Sequence, residues 1–292
     1  MTKMRGVLIF GASGTIGSYI YDLLKKNKYK VIGTYNKNPK DELIFFDLRK
    51  SSIKELNLNG INYAVICSAL TKLDKINENP EISYEVNVRG TIRIIKELEE
   101  NSIKPIFFSS ASVFDGEKGG YKEEDERKPI SIYGKQKVEV EDFIIKNIKE
   151  YIIIRPGKVF GYRKGEGVLF SEWLEKYYKN EEIKLADDEM LSPTFAGDIA
   201  RGVKIIIEKN LNGIYHINYP FYYSRYEMCK KFFKKIGIRD AKITRCSIKD
   251  FNFLEKRMMK SYLDTSKFLK ETRFKYTNIE DCFEKIKENI TR

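Results

Sequence analysis

The feature that most restricts this chain is an alternation in its first half. Short runs of β-branched and aromatic residues are separated by longer stretches whose apolar positions recur with helical spacing. Gly6 to Phe10, Lys30 to Tyr35, Tyr63 to Ser68, Ile106 to Ser110 and Tyr151 to Arg155 predict strands. Thr15 to Asn27, Glu81 to Asn101 and Ile132 to Lys149 predict helices. Elements in that order bury their apolar faces as a parallel sheet with helices on both sides. The expected class is therefore α/β, a doubly wound parallel sheet of Rossmann-like order, with ligands at the carboxyl ends of the strands.

After Arg155 the alternation loosens. Gly157 to Gly167 is glycine-rich and charged, a helix with the single tryptophan Trp173 follows, and Ser192-Pro193-Thr194 opens another helix through Gly197 and Asp198. From Phe221 onward the chain is aromatic and Lys-rich, with helices expected near Arg225 to Lys235 and Ile279 to Ile290. This predicts a first, Rossmann-like domain over 1–157, to which 193–217 returns, and a smaller α/β domain made mainly of 158–292.

Composition narrows the chemistry. Four scattered cysteines without a Cys-x-x-Cys pair, and a single histidine, His216, remove most support for structural zinc, for disulfides and for Ser-His or Cys-His catalysis. No metal site is expected. No apolar run approaches the ~18 residues of a membrane span, and the residues before Phe10 are too short for a signal-peptide core, so a cytoplasmic protein is expected. The net charge of +12 is spread along the helices, as on a solvated Lys-rich surface whose field also attracts polyanions such as nucleotides. No nucleic-acid-binding motif accompanies it.

Gly11-Ala12-Ser13-Gly14-Thr15-Ile16-Gly17 joins the first predicted strand to the first helix. Small residues there let the backbone approach a pyrophosphate, which rests on the free N–H groups of the helix N-terminus. The second strand ends in Tyr35-Asn36-Lys37, where an acidic residue would bind a ribose 2′-hydroxyl. A cation there suits a 2′-phosphate, so NADP(H) is preferred and NAD(H) stays open as the second choice. Asp47-Leu48 is placed to meet the adenine, or is an ordinary strand-to-loop turn.

Tyr133 and Lys137 are four apart and share one helix face, where a lysine charge can lower the phenol's pKa and hold a ribose. Tyr21/Lys25 and Tyr226/Lys230 have the same spacing. Only Tyr133/Lys137 follows a strand ending in Ser109-Ser110, whose hydroxyls at the sheet edge suit a substrate carbonyl.

The set Gly11/Gly14/Gly17, Ser110, Tyr133 and Lys137 resembles the extended short-chain dehydrogenases/reductases. Finer segments are similar to the dTDP-4-dehydrorhamnose reductase branch. They are Phe108 to Gly116, Tyr133-Gly134-Lys135-Gln136-Lys137, Arg155-Pro156-Gly157-Lys158-Val159-Phe160-Gly161, Ser192-Pro193-Thr194 with Asp198, and Arg257 followed by Ser261 to Asp264. The resemblance implies NADPH-dependent reduction of a keto group on a nucleotide-linked deoxy sugar. Ser110 would hold the carbonyl, Tyr133 would donate the proton, and Lys137 would tune Tyr133 and bind ribose. It further implies cofactor contacts from Cys67, Ser68, Ala69 and Pro156, substrate contacts from Ser112, Val113, Lys158 and Arg257, and compatibility with a homodimer. The chain departs from the branch at Ala111-Ser112, where Asp-Tyr is usual, at Met258 in place of proline, and at Cys67-Ser68-Ala69-Leu70 in place of an Asn-Ala-Ala-Ala type loop. An NAD-retaining nucleotide-sugar epimerase or dehydratase shares the trio, and a dinucleotide-binding regulatory subunit keeps the fold without turnover.

Overall fold

The computed structural model describes residues 5–163 and 169–290. Positions 164–168, part of the glycine-rich segment Gly157 to Gly167 and its continuation, lie outside the described residues. Seven parallel strands form the central sheet: β1 (Gly6–Phe10), β2 (Val31–Tyr35), β3 (Ile44–Phe45), β4 (Ile61–Ile66), β5 (Lys104–Phe108), β6 (Ile152–Pro156) and β11 (Gly213–Ile217). Their order is β11-β6-β5-β4-β1-β2-β3. The order reverses between β1 and β4, and the crevice at the carboxyl ends of these two strands is where an open α/β sheet takes a ligand.

Each strand supplies both faces of the core, as the period of two requires. Val7 and Ile9 of β1 join Val65, Ile106 and Ile154 beneath α1 (Thr15–Lys26) and α7 (Ala196–Lys209). Leu8 and Phe10 join Ala64, Ile66, Phe107 and Ile153 beneath α4 (Thr91–Glu100) and α5 (Ile132–Asn147). Each of the Val, Ile, Leu and Phe side chains among them, fully buried, contributes about 1.5–3 kcal/mol relative to exposure.

The expected helix over Glu81 to Asn101 is broken into pieces. The chain runs from α2 (Leu73–Glu78) into α3 (Pro80–Tyr84), then through a π-helical turn at Glu85–Gly90 into α4. At Gly90 a Cβ would stand 2.5 Å from the Leu48 carbonyl, so the helix approaches that backbone closely. The wide turn also aims Asn87 inward, which helical apolar spacing alone does not foretell. Strands β4 and β5 end at Ile66 and Phe108, two residues before their expected ends, so Cys67-Ser68 and Ser109-Ser110 stand on the edge loops.

Between β6 and α7 lie β7 (Lys158–Phe160), α6 (Phe170–Tyr178), β8 (Ile183–Ala186), β9 (Met190–Leu191) and β10 (Pro193–Phe195). After β11 come β12 (Tyr223–Ser224), α8 (Arg225–Ile236), β13 (Ile243–Cys246), α9 (Ser266–Thr272) and α10 (Ile279–Ile290). The short strands pair two by two, β7 with β10, β9 with β12 and β8 with β13. Phe170 meets Trp173 and Phe283 edge to face and Phe232 at a tilt beneath them, continuous with the core of the α1/α7 side. Segment 193–217 brings β10, α7 and β11, and β11 extends the central sheet beside β6.

Candidate active site

The glycine loop is shaped by close approaches. Gly11 has φ +82°, and a Cβ on it would lie 2.8 Å from the Ser68 hydroxyl. A Cβ on Gly17 would lie 2.2 Å from the Gly11 carbonyl oxygen, so helix and loop touch there backbone to backbone. Gly14 is the N-cap of α1, without a side-chain cap and without an acidic residue in the first turn. The leading N–H groups of α1 are thus left for an anion, with Thr15 and Ile16 opening the helix behind them.

This loop floors a cavity of about 300 Å³ at the crevice between β1 and β4. Of the residues expected to touch a cofactor, Gly11, Ser13, Gly14, Asn36, Lys37, Asp47, Leu48, Cys67, Ser68 and Ala69 line it. Thr15, Ile16 and Gly17 stand in the first turn of α1, and Pro156 is buried at the end of β6, outside this wall. Asn38, Phe46, Arg49, Leu70, Ile82 and Val86 also line the cavity and were not legible as site residues. Lys37 is exposed there and makes no ion pair among the described residues.

Asp47 meets a cation of its own. Its carboxylate receives Arg49 Nε at 3.1 Å and Arg49 Nη2 at 2.7 Å, and Arg49's backbone N–H at 2.9 Å. Those hydrogen bonds hold the Asp47 carboxyl below the usual range. The signal was the two-residue spacing, which lets an Asp fold back on the residue two positions on.

The expected trio Ser110, Tyr133 and Lys137 lies on the neighbouring edge, at the end of β5. Ser110 caps a short turn at Ala111–Val113, where its Oγ accepts the Ser112 N–H at 3.1 Å and donates to Ser112 Oγ at 3.1 Å. Val113 is buried beneath that turn, while Ser112 is half-exposed. Ser131 caps α5 by accepting the Gly134 N–H at 3.0 Å, which fixes the turn carrying Tyr133. Lys137, one turn further, is buried and donates to the Phe108 carbonyl at 2.8 Å, tying α5 to the end of β5. Its ammonium sits 5.5 Å from the centre of the Tyr133 ring.

The expectation that Lys137 draws the Tyr133 pKa down is not met. Burial pushes the phenol up, and the group opposing that shift is the Ser110 hydroxyl. Burial also lowers Lys137 to about 8. Both shifts have one cause, since a dry pocket disfavours whichever form carries charge. Burial thus favours the neutral phenol, the form that carries a proton.

Asn87, which pins the cavity wall, is a further residue of this site that the sequence does not announce. Its side chain exchanges two hydrogen bonds with the backbone of Leu70, at 2.8 and 2.9 Å, and donates to Gln136 Oε1 at 2.8 Å. Gln136 passes the chain on to Ser83 at 2.8 Å. The wall loop Cys67–Leu70 is thereby pinned to the helix of Tyr133 and Lys137.

On the C-terminal side, Lys158 is half-buried with its ammonium pKa lowered by burial and by Arg225. Arg257 donates to Asp74 of α2 at 2.9 Å and lies over the Phe253 ring at 4.7 Å. His216 is a strand residue, as its setting in the sequence suggests, fully buried on β11. Among the described residues no group of three His, Cys, Asp or Glu is placed to hold a metal, and no helix is long and apolar enough to cross a membrane.

With this geometry in place, comparison with known proteins is decisive about kinship. The model of the RmlD substrate binding domain matches residues 4–291. The chain belongs to that family, and so to the extended short-chain dehydrogenases/reductases. It is 29% identical to the dTDP-4-dehydrorhamnose reductase of Aggregatibacter actinomycetemcomitans over 283 residues, 90% of this chain and 92% of that one. It is 27% identical to the methionine adenosyltransferase 2 subunit beta of Danio rerio over 241 residues, 78% of this chain and 72% of that one. A solved dTDP-4-dehydrorhamnose reductase from Bacillus anthracis, in complex with NADP, superimposes with a TM-score of 0.85 at 23% identity, covering 97% of this chain and 98% of that chain, a likeness of fold.

Proposed function

We propose that this family member uses NADPH to reduce a keto group on a nucleotide-linked deoxy sugar. The observation that carries the reading is that one sheet edge holds both an uncapped glycine-loop helix, at the switch point after β1, and the Ser110, Tyr133 and Lys137 trio, at the end of β5. The cradle fits a dinucleotide, since Gly11 and Gly17 have no room for a Cβ and the first turn of α1 carries no carboxylate. Lys37, exposed at the cavity's far end, favours a 2′-phosphate there. The relative in Aggregatibacter and the NADP-bound structural neighbour point the same way.

When bound, a nicotinamide dinucleotide supplies the hydride. The chain's own residues do the rest. Ser110 presents its hydroxyl to the substrate carbonyl oxygen, polarising it. Tyr133, held as a neutral phenol by its dry surroundings, gives its proton to the oxygen as charge develops. Lys137 is fixed on the Phe108 carbonyl beside the phenol, where its ammonium offsets the phenolate left behind. Asn87 and Gln136 keep the wall loop and α5 in register.

A second reading, a dinucleotide-binding subunit without turnover, is favoured by the likeness to a protein named as a subunit and by Ala111-Ser112 beside the trio. One assay separates the readings. NADPH consumption is followed with dTDP-, UDP- and GDP-linked 4-keto-6-deoxy sugars. Oxidation with at least one of them supports the reductase; tight NADPH binding with no oxidation by any supports the subunit. Conversion of a nucleotide sugar with NAD and no net oxidation would instead indicate an epimerase.

A further inference from the structure

Arg257 stands on a segment, 251–260, that crosses from the C-terminal part of the chain to the rim of the cofactor crevice. The segment is anchored without it. Glu255 accepts the Ile132 N–H at 2.6 Å and Asn77 Nδ2 at 3.2 Å, the Lys260 N–H reaches the Gly116 carbonyl at 2.8 Å, and the Met259 carbonyl accepts the Met190 N–H at 2.6 Å. The guanidinium can therefore change partners while the strap stays in place.

Its present partner is a carboxylate from the other side of the crevice. Arg257 Nη2 donates to Asp74 Oδ1 at 2.9 Å, on α2 just beyond the wall loop Cys67–Leu70. The match is incomplete, because Arg257 Nε is buried with no hydrogen-bond partner. A guanidinium offers a planar fork of donors that a diphosphate fills and this single carboxylate oxygen does not. Further cations stand nearby. Lys158 feels both Arg225 and Arg257, and it has no ion pair among the described residues, while Arg225 is paired with Glu189. Glu189 and Glu172 act on Lys158 as well, so Lys158, Arg225 and Arg257 form a cationic group whose members other than Lys158 each hold one carboxylate.

We propose that Asp74 is a built-in competitor for the substrate's diphosphate, holding Arg257 at the rim until a nucleoside diphosphate displaces it, and so setting the affinity for nucleotide sugars. This rests on the proposed nucleotide-sugar reading, with Arg257 as the residue that meets the diphosphate. The contact is partly exposed, Asp74 at 60% and Arg257 at 23% of the side chain. Its strength is accordingly that of a surface pair, and removing Asp74 should tighten binding by about twofold to fivefold.

The test is calorimetric titration of the full chain with UDP, dTDP and GDP, using wild type, Asp74→Asn, Arg257→Ala and the double variant. The expected result is tighter diphosphate binding in Asp74→Asn, weaker binding in Arg257→Ala, and no benefit from Asp74→Asn once Arg257 is gone. NADPH affinity serves as the control that a general disturbance of α2 would move, and it should stay the same. Diphosphate binding in Asp74→Asn equal to or weaker than wild type, or a gain that persists without Arg257, would overturn the competition. If wild type and Asp74→Asn both fail to bind any of the three nucleotides, the nucleotide-sugar reading itself falls and the competitor with it.

Discussion

Replacing Arg155 with methionine should cost about 3–4 kcal/mol of stability, although the residue touches no ligand. Its side chain is 1% exposed on β6 and grips Glu141 of α5, itself fully buried, through Nε at 2.9 Å and Nη2 at 2.6 Å. Nη1 also donates to the Glu123 carbonyl at 3.2 Å. Methionine fills much of the volume but leaves a buried carboxylate, and breaking such a pair from one side costs roughly 3–5 kcal/mol. Arg127, whose Nη1 stands 3.1 Å from Glu141, stays behind as a partial counter-ion and holds the loss toward the lower end. The double variant Arg155→Met/Glu141→Leu removes both charges and should recover most of the loss, to within about 1–2 kcal/mol of wild type. Guanidinium unfolding monitored by Trp173, the single tryptophan and 3% exposed, reads both quantities. A loss under about 1 kcal/mol in the single variant, or a double variant less stable than the single, would refute the argument that an uncompensated charge is the cost.

Three further outcomes follow from the same structure. His216 is buried with its pKa depressed to about 3 by desolvation and by Arg155, so the unfolded chain binds a proton there that the folded chain refuses. Its contribution to stability is complete above the unfolded value of about 6.5 and is lost as the pH falls toward 3. The stability gap between wild type and His216→Gln should therefore shrink between pH 7 and pH 4, and a constant gap would contradict a neutral buried ring. Gly17→Ala must displace a carbonyl 2.2 Å from the new Cβ, so it should cost about 1–3 kcal/mol and abolish dinucleotide binding; an alanine variant with normal cofactor affinity would show that the loop does not depend on that contact. Lys37→Ala should weaken NADPH by about tenfold while sparing NADH in a fluorescence titration, and equal losses for both would remove Lys37 from 2′-phosphate recognition.

Most of the sheet was readable because its strands are bounded by turn residues and its helices keep one apolar stripe. What stayed hidden has identifiable causes. The π turn at Glu85–Gly90 leaves apolar spacing nearly unchanged, so the inward aim of Asn87 carries no periodic signal. Glu141 reads as a solvated helix charge, and only the tertiary arrival of Arg155 from β6 makes it a core residue. The position of Tyr133 and Lys137 was legible from the strand before them, but their protonation was not. Burial sets it, and burial depends on the whole fold. Arg257 reads as a substrate contact from the resemblance of its segment, whereas its pairing with Asp74 joins residues 183 apart in the chain.

The central claim, hydride transfer to a sugar carbon with Tyr133 as the proton donor, is tested most directly with NADPH deuterated at the transferable position of the nicotinamide. Incubation with the 4-keto-6-deoxy nucleotide sugar that the panel selects should yield a product one mass unit heavier, with the label on the carbon that bore the keto group. Tyr133→Phe should slow that transfer by roughly 10²-fold or more while leaving NADPH affinity unchanged. A product without deuterium, or a Tyr133→Phe variant that transfers it at the wild-type rate, would contradict the account.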